Sequence, residues 1–372
     1  MDIWLINHYA VPPKYYPLAR QTCFARYLMA MGHTVTIFAA STVHNSNMNL
    51  ITDGAPWRDE VVDGVHYVYI RCMDYQGNGL KRIYNICEFA WKLPGVCRKF
   101  PRPDAIVAYG IAGPRNPAVL ALRRLEKWIY EKADDVVFTC EGGYDYIVEQ
   151  GWEGRIPRAK IHYINNGVDL AVFDENRARY TVQDPDLEDP SVFKVVYTGS
   201  IRKVNHLGLL LDAAKEVTDP RVKFLIWGDG DQRAALEQRV REEEISNVVF
   251  KGKVEKKYIP SIVSRADINL IHGGDQGKEL FRFGISPNKM FDCFAAGRPI
   301  LMDLPAKYNP VEQFQAGICL SSVSEIPAAI RQIQVLSPQA YESLCGNARK
   351  AAARFDFRVL TQELMEILEK RG

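Results

Sequence analysis

FKVVYTGSIRKVNHLGLLLDAAKEVTDPRVKFLIWGDGD, residues 193–231, decides the fold. Residues 193–198 form a short run rich in β-branched and aromatic side chains, and it stops at Gly199-Ser200. Such a run, bounded by turn residues, predicts a strand. LGLLLDAAKEV, residues 207–217, carries its apolar residues at helical spacing. VKFLIW, residues 222–227, is a second strand ending in a glycine loop. A helix between two strands is the connection that parallel pairing requires. The alternation continues through strand NVVFKGKV, helix YIPSIVSRA, strand DINLIHGG, helix NKMFDCFAAG and strand RPILMDLP, and closes with AGICLS and helix SEIPAAIRQIQVL.

The same alternation precedes residue 181. IWLINHY and TVTIFAAS are strands around the helix ARQTCFARYLMAMGH, and DEVVDGVHYVYIRC is a hairpin turning at Asp63-Gly64. DAIVAYG is a buried strand, NPAVLALRRLEKWIYEKAD a long helix, DVVFTC a strand, and IHYINNG a strand running into a turn. Between the two series lies TVQDPDLEDPS, residues 181–191, whose acids and prolines predict an exposed linker. The expectation is an α/β protein with two facing, doubly wound parallel sheets and a cleft between them. The first domain would span 1–175 plus 356–372, the second 191–355, with 176–190 as linker.

A length of 372 residues suits two such domains, and 47% hydrophobic with 25% charged residues is the balance of a globular chain. A net charge of +2 gives no ground for nucleic-acid binding. No secretory leader is expected at MDIWLINHY, where no basic segment precedes the apolar run. The eight cysteines stand singly, with no CxxC pair, so neither a zinc site nor a disulfide framework is expected. A cytoplasmic location follows.

Ligands of doubly wound sheets bind beyond the carboxyl ends of the strands. The loop after the first strand lacks G-x-G-x-x-G and holds Lys14, Tyr15, Tyr16 and Arg20 instead. Gly199-Ser200 lets a ligand approach the backbone, and Arg202 and Lys203 add positive charge near a helix start. A solvated basic loop fits those two residues equally well. In WGDGDQ, Gly228 opens another glycine loop, whose Asp229 and Asp231 fit a turn and helix cap better than a metal site. FRFGISPNKMFDCFAAGRPIL, residues 281–301, gathers Ser286, Pro287, Asn288, Lys289 and Asp292 at one helix start. A helix N-terminus presents free N–H groups and partial positive charge to an anion. Asp292, a turn further in, is placed to accept the hydroxyls of an attached ribose. An ordinary capped helix reads as well from spacing alone.

Taken in order, these segments make the chain resemble the retaining glycosyltransferases of family 4, which have the GT-B fold, along nearly its whole length. The resemblance rests on Gly32-His33-x-Val35, EKWIYEKADDVVFTCEG, Asn166 to Asp169 with Phe173, YTGS, WGDGD, FKGKV and SPNKMFDCFAAGRPIL. It implies transfer of a sugar from a UDP- or GDP-type donor, needing no metal or other cofactor, to a glycan or lipid-linked acceptor. The nearest pattern is the branch that builds bacterial surface polysaccharide or lipid-linked oligosaccharide. It implies that Asp292 binds the donor ribose, that Ser286–Lys289 and Gly199-Ser200 meet the diphosphate, and that Lys253-Val254 contact the base. Arg20 is implied as catalytic, with Lys14, Tyr15 and Tyr16 on the acceptor side. Gly284 stands eight residues before Asp292, where the family has an acid, and Glu279 or Asp275 would replace it. The family also has another helix and strand where only Ile111–Arg115 lies here, so residues are expected to be missing near Gly110-Ile111. A nucleotide-sugar epimerase and a non-catalytic nucleotide-sugar binder are the alternatives. The basic, aromatic segment 79–103 is a candidate for peripheral contact with the inner face of the plasma membrane.

Overall fold

The structure is a computed structural model; it describes residues 1–15, 20–44, 46–77, 79–109, 117–273 and 281–370. Tyr16, Asp275, Glu279 and the connection 110–116, with the gap expected there, lie outside the described residues. Contacts divide the chain into two units, Met1–Glu126 with the chain from Thr361, and Lys127–Leu360.

The first unit holds strands β1 (Asp2–Ile6), β2 (Thr34–Ala40), β3 (Trp57–Val62), β4 (Val65–Ile70) and β5 (Ala105–Ala108) in the order β3-β4-β2-β1-β5. All pairs are parallel except the hairpin β3–β4. That hairpin turns where expected, because Asp63 and Gly64 both take positive φ, as a tight two-residue hairpin turn needs. One face of the sheet packs Trp4, Phe38, Val68 and Ile70 against Phe89 and Val96 of the helix Leu80–Cys97.

In the second unit, β6 (Val136–Phe138) and β7 (Ile161–Tyr163) form a separate parallel pair. The main sheet contains β8 (Phe193–Thr198), β9 (Val222–Trp227), β10 (Val248–Gly252), β11 (Ile268–Ile271), β12 (Ile300–Met302) and β13 (Gly317–Cys319). Its order is β10-β9-β8-β11-β12-β13, and every pair is parallel. Strands covered on both faces read as continuous apolar runs, and β8 and β9 show it. Val195, Tyr197, Phe224 and Ile226 enter one core while Val196, Leu225 and Trp227 enter the other.

The stretch expected to be an exposed linker is exposed at residues 188–191 but pinned down at its centre. Asp184 caps a short helix, Pro185–Glu188, and Leu187 is buried in the second core. Lys251 of β10 lies 2.7 Å from Asp184 and 2.5 Å from Asp186, and Lys223 of β9 lies 2.6 Å from Asp186. Burial alone would raise the Asp186 carboxyl, but the hydrogen bonds from Lys223 and Lys251 outweigh it and hold it below its ordinary range. The acids read as solvated because their lysine partners come from strands that follow them by 37 to 67 residues.

Candidate functional site

In the main sheet of the second unit, the chain builds outward from β8 to β10 and then from β11 to β13 on the other side. The order therefore switches between β8 and β11, and such a switch opens a crevice at the carboxyl ends of the strands. Gly199-Ser200 follows β8 and His272-Gly273 follows β11, so both flank that switch.

The rim is held by backbone contacts between loops. Gly199 N–H donates to Trp227 O (3.0 Å), Ile201 N–H to Asp229 O (2.9 Å) and Gly228 N–H to Gly252 O (2.8 Å). Gly228 has φ +151°, and a Cβ there would stand 1.8 Å from Gly199 O. Only glycine fits, and the reason is the approach of one loop to the next. Asp229 accepts from Gly230 N–H at 2.9 Å, a turn role. Among the described residues, no cluster of three or more His, Cys, Asp or Glu is placed to hold a metal ion.

The helix Asn288–Ala296 brings Lys289 to this rim. Its Nζ donates to the Tyr197 hydroxyl (3.2 Å), lies over the Tyr197 ring, and stands 3.0 Å from where a Gly199 Cβ would be. The Tyr197 hydroxyl in turn donates to Ser200 O at 3.0 Å. Gly199, Ser200 and Lys289 thus meet at one point. The helix carries no side-chain cap; Pro287 occupies the N-cap position in extended conformation. Ser286 is engaged from behind, where its Oγ accepts from Asn166 N–H (3.3 Å) and its carbonyl from the Asn166 side chain (3.0 Å). The segment Asn165-Asn166, singled out in sequence as a turn, therefore braces the helix entry.

Asp292 does not cap the helix either. It is buried, and its carboxylate pairs with Lys256, at the start of the short 3-10 turn Lys256–Tyr258 after β10. Lys253 is exposed, while Val254 packs on the second core. Arg202 and Lys203 are exposed beside the Ser200–Asn205 hydrogen bond (3.0 Å). Gly284 has φ +112°, and a Cβ there would stand 3.3 Å from Glu141 N. A carboxylate side chain at 284 would be strained, so this backbone does not accommodate the family's first acid.

One pair was missed in sequence. His272 and Asp303, at the ends of β11 and β12, are fully buried and paired through Nδ1. The other ring nitrogen lies 3.1 Å from His206 O, and Gly273 N–H donates to Asp303 at 3.1 Å. The pair ties the loop after β11 to the helix that follows β8. Position after a strand was the only signal; the partners are 31 and 66 residues away.

In the first unit the order switches between β1 and β5. Arg20, the first residue of its helix, lies over the Phe24 ring and hydrogen-bonds Tyr109, which follows β5. Burial lowers its guanidinium from the ordinary value, against the opposing effect of Tyr109. Lys14 lies over the Tyr15 ring and 3.8 Å from Glu60. A second cluster, also missed, stands at the ends of β1, β2 and β4. The Asn85 amide donates to Thr42 Oγ1 (3.2 Å) and Met73 O (2.6 Å), so its oxygen accepts from His8 Nε2 at 2.5 Å. This leaves His8 Nδ1 as an acceptor, buried with no protein donor. Burial pulls His8 down to about 4. Tyr9, His44, Tyr75 and Arg82 surround it, with Arg82 donating to the Tyr9 hydroxyl and His44 bonded to that of Tyr75, each at 2.8 Å.

Residues 192–333 match the family model described as "Glycosyl transferases group 1". Two curated relatives align at 24% identity. They are "Putative teichuronic acid biosynthesis glycosyltransferase TuaH" of Bacillus subtilis (strain 168), over 48% of this chain and 43% of the relative, and "Probable glycosyltransferase WbjE" of Pseudomonas aeruginosa, over 54% and 48%. The chain thus spans about half the length of the curated relatives it matches. Among solved structures, sucrose-phosphate synthase from Thermosynechococcus elongatus aligns over 99% of this chain and 98% of its own, with TM-score 0.66 and 17% identity. HepE of Anabaena in complex with UDP aligns over 99% of both chains, with TM-score 0.68 and 13% identity. HepE in complex with UDP-glucose aligns over 100% of both, at 0.63 and 15%. These likenesses establish the fold as GT-B.

Proposed function

We propose that this protein is a glycosyltransferase that moves a sugar from a UDP- or GDP-sugar to a glycan or lipid-linked acceptor, with retention at the anomeric carbon. The observation that carries the proposal is the meeting of Gly199, Ser200 and Lys289 at the β8/β11 switch, with the buried carboxylate of Asp292 one turn further along the same helix. The group 1 match over 192–333 covers this constellation, and HepE, of like fold, was solved with UDP and with UDP-glucose.

In this reading Lys289 and the N–H groups of its helix start neutralise the diphosphate, and Asp292 accepts the ribose hydroxyls. The sugar–phosphate C–O bond breaks and a C–O bond to the acceptor hydroxyl forms on the same face. The hydroxyl proton passes to the departing diphosphate oxygen. The chain's contribution is stabilisation of charge developing on the leaving group. No carboxylate at position 284 is required. The segment 191–355 would hold the donor, and 1–175 with 356–372 the acceptor, near Arg20, Lys14, Tyr15 and the His8 cluster.

The test is release of nucleotide from a panel of UDP- and GDP-sugars by the purified full chain, with and without a lipid-linked glycan extract. Donor-specific release that rises with extract supports transfer. Sugar interconversion without release would replace it with the epimerase reading. Binding without release or interconversion would replace it with the binder reading.

A further inference from the structure

We infer that Lys256 is a positioning residue for ribose recognition, holding the Asp292 carboxylate in place and supplying the counter-charge that lets it stay buried. The inference rests on the nucleotide-sugar reading above. It begins from an electrostatic cost. Six of the seven residues from Met290 to Ala296 are apolar or sulfur-bearing and buried, and Asp292 is the charged exception. A carboxylate withdrawn from water is costly unless it is paired.

The partner is Lys256. The Asp292 side chain is 12% exposed and that of Lys256 53%, so the ammonium reaches in from the solvent side. It meets Oδ2. A carboxylate accepts through about four lone-pair sites on two oxygens, so one ammonium leaves most of them for an incoming diol. The neighbouring lysine is committed elsewhere. Lys257 pairs with Glu255 at 3.0 Å and lies over the rings of Tyr180 and Tyr258. The Cys293 thiol beside Asp292 is pushed up to about 12, by burial first and then by that carboxylate, with Lys289 and Lys256 opposing. Lys256 leaves its turn at the end of β10, which brings one strand's loop to a residue on a distant helix. Without it, the Asp292 carboxylate would lose the ammonium paired with it and the contact that fixes its orientation.

The experiment is calorimetric titration of the full chain with UDP and with 2′,3′-dideoxy-UDP. The variants are Lys256→Ala, Lys256→Arg, Asp292→Asn and the Lys256→Ala/Asp292→Asn double. Lys256→Ala is expected to weaken UDP about tenfold while changing the dideoxy nucleotide less than about twofold. Lys256→Arg should recover most of the loss, and the double variant should be no weaker than Asp292→Asn alone. Equal losses for both nucleotides, or additive losses in the double variant, would overturn the inference and leave Lys256 a general cation. If Asp292→Asn discriminates the two nucleotides and Lys256→Ala does not, the inference alone fails. If Asp292→Asn leaves UDP affinity unchanged, the reading beneath it fails as well.

Discussion

Asp292 is a buried carboxylate one turn into its helix, paired with Lys256 from the turn after β10. Asp292 was legible as a candidate because its place in SPNKMFD, one turn past a helix start, is a matter of spacing. Its pairing with Lys256 was not, since 36 residues separate the two. Asp292→Ala is expected to weaken UDP binding at least about tenfold in a direct binding assay, and an unchanged affinity would remove it from the site. His8 drew no notice in sequence, yet it is buried with one nitrogen fixed by Asn85. Its pKa is lowered from 6.5 to about 4 by burial. Between those values the unfolded chain binds more protons than the folded one, so stability rises with pH. The full contribution is present above about pH 6.5 and lost by about pH 4, amounting to roughly 3 kcal/mol. Urea unfolding across this range should show that slope, and His8→Gln should flatten it. An identical slope in His8→Gln would contradict the assignment.

Elements were legible where their own periodicity carries them and illegible where distant partners do. Strands β8 and β9 and the turn at Asp63-Gly64 fall where their residues predict. The segment 181–191 does so only in part, because Asp184 and Asp186 are held by Lys223 and Lys251 while residues 188–191 are exposed. Lys251→Ala leaves Asp184 and Asp186 with one cation fewer in a buried setting, an expected loss of about 3 kcal/mol in chemical unfolding. A change below about 0.5 kcal/mol would mean the pairs are idle. The helix Leu80–Cys97 shows a clear division of faces. Asn85, Phe89 and Val96 are buried, whereas Leu80, Ile83, Tyr84 and Trp91 (the last 87% exposed) line the other side at helical spacing. Lys81, Arg98, Lys99 and Arg102 are exposed around them. A shallow, open depression lined by Met73, Leu80, Lys81, Tyr84 and Glu88 adjoins this face. Among the described residues no helix is long and apolar enough to cross a membrane. We propose for this face an interfacial contact, an apolar surface set in basic residues against anionic lipid. Flotation with phosphatidylglycerol vesicles should retain the protein at low salt, and Trp91→Ser with Tyr84→Ser should release it. Retention on neutral vesicles alone, or none on either, would oppose this.

At the scale of the whole molecule, alternation of strands and helices was enough to predict two parallel-sheet units, because a parallel pair needs a crossover. Strand order was not, and the order is what places the site. Nothing in FKVVYTGS states that β8 and β11 are neighbours with the switch between them. Where the contacts divide was equally hidden, since β6 and β7 pair with each other while residues 127–360 group together. The nucleotide is proposed to lie at the carboxyl ends of β8 to β11, in the second unit. The most direct measurement is photolabelling of the full chain with 5-azido-UDP, followed by peptide mapping. Competed by excess UDP, the label is predicted within residues 199–302, on the loops after β8 and β10 or the helix Asn288–Ala296. UDP-competed labelling confined to residues 1–126 would contradict it.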